Sequence, residues 1–129
     1  FGTFGASWQY SGYFAAAVPI CGGDDPYRGP RLVDQPLWAF HNVLDDVVSV
    51  TQSRDIIATI EAAGGHPLYT EYVASGHDAW TKTYANDAVY HWMFSHSLVP
   101  EPTAMVLMLA GIAGVGVWTT RERIRPRRG

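Results

Sequence analysis

The apolar residues of this chain fall into short runs separated by turn formers. Phe4 to Tyr13 is aromatic and predicts the end of a helix. Phe14 to Ile20 is a continuous apolar run that predicts a buried strand, and Cys21-Gly-Gly-Asp-Asp-Pro after it is dense in turn residues. Pro36 to His41 is a second apolar run, closed by the polar break Asn42 to Asp46. From Ser49 to Ala63 the pattern changes to a helical one, with Ile56, Ile57, Ile60 and Ala63 recurring on one face. Ser49 reads as its N-cap with Gln52 reaching back to complete a capping box, and Gly64-Gly65 as its stop. Leu68 to Val73 is rich in strand formers and predicts a third strand. Ser75 to Trp80 reads as a loop, and Asn86 to His96 as a second helix with Val89, Trp92 and Met93 on one side.

Strands alternating with helices predict an α/β fold with a parallel sheet. Functional loops in such sheets lie beyond the carboxyl ends of the strands. Two predicted loops in that position carry acid–base residues: Asp45/Asp46 and His77/Asp78.

Charge changes the picture at the C-terminus. Of nine basic residues, five lie in 121–129 beside one of the twelve acids, so four bases face eleven acids in the preceding 120 residues. An acidic body argues against binding a phosphate backbone, so no nucleic-acid partner is expected. The 18 residues from Thr103 to Thr120 hold no charge. As a helix they reach roughly 27 Å, near the thickness of a hydrocarbon core. The reading is a transmembrane helix at 103–120, an Arg-rich cytoplasmic tail at 121–129 and a linker at 97–102. Residues 1–96 form the domain before them. The single cysteine, Cys21, allows no intrachain disulfide.

Asp45 followed by His77, each after a predicted strand, fits the last two members of a Ser–Asp–His order. In that chemistry the histidine takes a proton from a serine hydroxyl, and the carboxylate holds the ring in the right tautomer. Plainer roles suit the neighbours. Asp46 and Asp78 read as capping or solvated residues, and Asp24 and Asp25 as turn residues. His41 reads as a hydrogen-bonded structural residue, and His66, His91 and His96 as surface positions. Trp38 and Trp80 read as packing residues, and Cys21 as a small core residue. A metal at His41, Asp45 and His77 lacks a short-range ligand pair. No cofactor is expected.

Three stretches carry a family resemblance: Phe14-Ala-Ala-Ala-Val-Pro-Ile-Cys-Gly-Gly, Trp38-Ala-Phe-His-Asn-Val-Leu-Asp-Asp-Val-Val-Ser-Val and Tyr69-Thr-Glu-Tyr-Val-Ala-Ser-Gly-His-Asp-Ala-Trp. They resemble the C-terminal half of α/β-hydrolases, near esterases related to dienelactone hydrolases, polyhydroxybutyrate depolymerases and prolyl oligopeptidase-type peptidases. The resemblance covers residues 1–96 and implies the C-terminal three-strand portion of a parallel sheet with flanking helices. It implies Asp45 as triad acid and His77 as base. Asn42 and Ser49 depart from it, standing where Gly and Pro are usual. The nucleophile motif Gly-x-Ser-x-Gly is absent from this sequence; Ser7, in Gly5-Ala-Ser-Trp-Gln, lacks the second Gly. Phe1-Gly-Thr-Phe4 resembles a stretch found just after the nucleophile in the family. The expectation is therefore a C-terminal fragment of an exported serine hydrolase, a carboxylesterase acting on a small ester and inactive without its serine. A catalytically dead surface remnant or binding domain, and a fragment of a peptidase acting on peptides, are the alternatives.

Pro100-Glu101-Pro102, the uncharged run and the Arg cluster resemble, in that order, the PEP-CTERM sorting signal of exported bacterial proteins. That resemblance implies an exosortase-type processing partner and an exported, membrane-anchored or cell-surface location, with the C-terminus cytoplasmic before processing.

Overall fold

A computed structural model describes residues 2–98 of the chain. The elements are α1 (Gly2–Gln9), a 3-10 helix (Pro26–Leu32), β1 (Trp38–Leu44), α2 (Val50–Ala62), β2 (Leu68–Ser75), α3 (Trp80–Tyr84) and α4 (Asp87–Phe94). β1 and β2 pair in parallel, joined by the α2 crossover, in register from Trp38 opposite Leu68 to Asn42 opposite Tyr72.

The expected three-strand sheet is not formed among the described residues: the sheet has two strands. Phe14–Ile20 touches β1 only at two isolated bridges, Ala17 to Leu37 and Ile20 to Phe40. The reason is local. Ala17 N–H donates to Pro36 O and Cys21 N–H to Phe40 O, both at 2.9 Å, while Trp38 and Phe40 donate back to Ala17 O and Pro19 O. Pro19 sits between the bridges and has no N–H to donate, so the ladder breaks there. The segment is an extended edge rather than a strand.

The expected membrane helix finds no counterpart in the described part of the chain. Among the described residues no helix is long and apolar enough to cross a membrane. The run 103–120, the linker beyond residue 98, the sorting motif and the Arg-rich tail lie outside the described residues.

α2 begins where the sequence indicates. The Ser49 hydroxyl accepts from Thr51 N at 3.3 Å. Gln52 does not close a capping box, because its side chain packs over Gly23, where a Cβ would collide with it. The helix ends at Gly64, whose φ of 93° is costly for residues with a Cβ, and Gly65 N donates to Ile60 O at 2.9 Å. Its apolar face, Ile56, Ile57 and Ile60, packs with Phe4, Leu32, Leu37 and Ala39 into the core.

β1 is buried on both sides over most of its length. Successive side chains alternate between faces. Leu37 and Ala39 join the α2 core, and His41 comes next on that face, bonded to Ser53 of α2. Trp38, Phe40 and Asn42 face the other way, with Trp38 edge-on to Trp92 of α4 and Phe40 stacked on Tyr72 of β2.

Candidate active site

The site forms at the carboxyl ends of the two strands. Pairing slips between Asn42 and Leu44: Leu44 lies opposite Ser75, so β2 carries one extra residue there. Such a bulge bends a strand end and re-aims the residues beyond it. Past the bulge, Gly76 N donates to Leu44 O at 3.0 Å, and the Asn42 side-chain amide donates to Gly76 O at 2.9 Å. Gly76 has a φ of 78°, which lets the chain turn at once into His77.

That turn brings together the two residues the sequence singles out. His77 Nδ1 lies 2.8 Å from Asp45 Oδ2. The Asp45 side chain is fully buried, whereas that of His77 is 30% exposed. The other carboxylate oxygen, Oδ1, accepts from the amides of Val47 and Val48, each at 2.9 Å. Burial pushes the Asp45 pKa up, but the Val48 amide, the His77 ring, the Val47 amide and the Cys21 thiol outweigh it and hold the carboxyl at about 2. At neutral pH Asp45 is therefore an ionised acceptor. His77 must then donate from Nδ1, so in the neutral ring Nε2 is the nitrogen left to accept. The ring packs edge-on against Trp80 at 5.4 Å, so Trp80 fixes the plane of His77.

A second histidine meets the same carboxylate oxygen. His41 Nε2 lies 3.3 Å from Asp45 Oδ2 and 2.9 Å from Val48 O, and its Nδ1 lies 2.7 Å from Ser53 Oγ. Ser53, His41 and Asp45 thus repeat the order of a serine triad inside the protein. Ser53 and His41 are both 0% exposed and Ser53 donates to Gly22 O at 2.7 Å, so no substrate reaches that hydroxyl. The sequence reads His41 as a hydrogen-bonded structural residue and groups it with Asp45 only as an unfavoured metal set, not as a direct contact of the carboxylate. The i to i+4 spacing of two residues spanning a strand end carries no signal for it.

Sequence reading also misses Cys21 as a neighbour of the acid. It is buried, has a φ of 45°, and desolvation raises its thiol pKa. One ligand-type atom each from Cys21, His41 and Asp45 lies within 4.8 Å of the others. A cation at that point would have to displace the protons and hydrogen bonds that already link these groups, so the donor set does not favour one.

The remaining candidates take plain roles. Asp78 caps α3 by accepting from Thr81 N at 3.2 Å and from its hydroxyl. Asp24 accepts from the Trp8 indole at 2.8 Å, and Asp25 caps the 3-10 helix through Tyr27 N. Asp46, His66 and His91 are exposed, while His96 is half-buried with its ring against Trp92. Ser7 is buried and bonded to Thr3 O, which rules it out as a nucleophile.

No family model matches the chain. No curated protein matches it either. Among solved structures it is similar to a thermostable esterase, with 38% sequence identity and a TM-score of 0.70. The match covers 74% of this chain and 28% of that one, so the chain spans little more than a quarter of the esterase's length. The likeness supports an esterase-like hydrolase fold.

Proposed function

We propose that this chain is the acid- and base-bearing C-terminal portion of a serine carboxylesterase, with Asp45 as the orienting acid and His77 as the general base and then general acid. The observation that carries the reading is the Asp45–His77 hydrogen bond. It combines a buried ionised carboxylate with a histidine whose side chain is partly exposed and whose second nitrogen is not engaged by Asp45. In such a reaction His77 Nε2 takes the serine proton as the hydroxyl attacks an ester carbonyl, then returns it to the leaving alcohol. Asp45 stays ionised and stabilises the imidazolium. Similarity to an esterase supports a small ester as the substrate class.

The serine is supplied by a segment other than this one, because no Gly-x-Ser-x-Gly occurs in the sequence and Ser53, the serine bonded to His41, is buried. The open edge at Phe14–Ile20 is where a strand carrying that serine would pair. Hollows of about 410 and 320 Å³ flank it, lined by Phe14, Ala16 and Val18 on one side and by Val18, Ile20 and Met93 on the other. The sorting-signal resemblance at Pro100-Glu101-Pro102 further supports an exported protein handled by an exosortase-type enzyme.

A fusion tests the reading. The nucleophile-bearing portion of the thermostable esterase is joined to the N-terminus of this chain, and hydrolysis of a short acyl ester is monitored. The expected result is turnover that falls on the order of 10⁴-fold in Asp45→Asn and at least as far in His77→Ala. Turnover that survives His77→Ala, or ester hydrolysis by the present chain without the fusion, would falsify the assignment.

A further inference from the structure

His41 is the strongest group that the proposed reaction leaves unused, and its surroundings fix its protons. Gly22 O can only accept, so its 2.7 Å approach to Ser53 Oγ requires Ser53 to spend its one proton there. Ser53 Oγ must then accept from His41 Nδ1, 2.7 Å away. At the opposite side of the ring, Val48 O can also only accept, and it lies 2.9 Å from His41 Nε2. Both ring nitrogens are donors. We infer that His41 is a buried imidazolium, and that it is a positioning residue which grips the Asp45 oxygen shared with His77.

The groups facing it agree with a positive charge. Asp45 Oδ2 lies 3.3 Å from Nε2, and Glu71 of β2 is the register partner of His41 across the sheet. Glu71 also binds Arg54 of α2 through two contacts at 2.6 and 2.7 Å. Besides His77 on the shared Asp45 oxygen, the other titratable neighbours are the Cys21 thiol, from the edge segment, and the Tyr69 phenol, which interacts with Glu71 on β2; both are uncharged when protonated. The cluster thus holds two carboxylates against one guanidinium, and a cationic His41 balances it. A neutral ring would leave either Ser53 or Val48 O facing a lone pair inside the protein, a costly arrangement.

The consequence reaches the reacting pair. One carboxylate oxygen lies between two imidazoles, a buried cation on one side and the exposed His77 on the other. His41 draws charge away from that oxygen and keeps it in line with the His77 N–H. The inference deepens the esterase reading but its measurement needs no turnover, so loss of activity in the fusion would leave it standing.

The test is ring-nitrogen NMR on the full chain labelled with ¹⁵N at histidine. At neutral pH the expected spectrum shows His41 with a one-bond N–H coupling on both nitrogens. A His41 ring with one unprotonated nitrogen overturns the inference. His41→Gln keeps a donor and removes the charge, and the His77 Nδ1–H resonance is then expected to move downfield as its share of the Asp45 oxygen grows. A resonance unchanged in a folded variant, judged by the Trp indole signals, overturns the positioning role. The wild-type spectrum decides the charge state even where the variant does not fold.

Discussion

The side-chain amide of Asn42 donates to the carbonyl of Gly76 at 2.9 Å, fastening β1 to the residue that precedes His77. Asn42 is buried, and its own Oδ1 has no partner among the described residues. The donor therefore stabilises while the acceptor costs. Asn42→Ala removes both, so the expected loss is modest, about 1 kcal/mol in the urea unfolding free energy. The sharper effect is expected at the turn. His77 ring signals should broaden as Gly76 loses its anchor, and an unchanged His77 line shape in Asn42→Ala would show that the clamp is idle.

Asp45 makes stability depend on acid. Its pKa falls from 3.8 to about 2 on folding, so the folded state holds the charged form more tightly than the unfolded chain does. That stability is complete above the unfolded value and is lost as pH falls through the folded one. The expected loss is about 2 kcal/mol between roughly pH 4 and pH 2. Urea midpoints measured across that range should show a shallower decline in Asp45→Asn than in the parent. Parallel declines would remove Asp45 from the account.

Gly29 lies where the 3-10 helix meets α2. A Cβ there would collide with the Thr59 side chain and sit 3.1 Å from the Ile60 backbone nitrogen. Thr59 cannot easily withdraw, because its hydroxyl donates to Pro26 O at 2.8 Å and is also 2.9 Å from Ile56 O. Gly29→Ala is expected to cost about 1–3 kcal/mol, the range for overpacking. A melting temperature equal to the parent's would mean the two helices part without penalty.

Amide exchange reads the edge directly. Ala17 and Cys21 donate inward to β1, whereas the N–H groups of Val18 and Ile20 have no backbone acceptor among the described residues. Slow exchange is expected at Ala17 and Cys21 and fast exchange at Val18 and Ile20. In the esterase fusion the latter two should become slow, because a neighbouring strand would accept from them. Equal rates at all four positions in the present chain would contradict the one-sided pairing.

Local signals made much of this legible. Ser49, the isoleucine period and Gly64 define α2 because capping, amphipathicity and a left-handed stop act within one element. β2 begins at Leu68, as its strand formers indicate. The nearness of Asp45 to His77 was readable because strand-end loops in a parallel sheet converge. The break at Pro19 was readable in principle, since proline lacks the donor, but an apolar run hides it. Gln52 had two uses, and packing over Gly23 won over the capping box. Cys21 near Asp45 depends on the paths of two separate segments, which no spacing along the chain encodes, and His41 reaches Asp45 only because the chain turns at the end of β1.

His41 and Asn42 are consecutive on β1 and point to opposite faces, one meeting Asp45 and the other the turn that precedes His77. The geometry of the pair is therefore written as a parity along one strand. A substitution at either site removes one support, but a single-residue insertion or deletion within Trp38–Asn42 exchanges the two and dismantles both together. Length variation in descendants of this sequence should accumulate instead in stretches such as Tyr10–Tyr13, where no support changes sides.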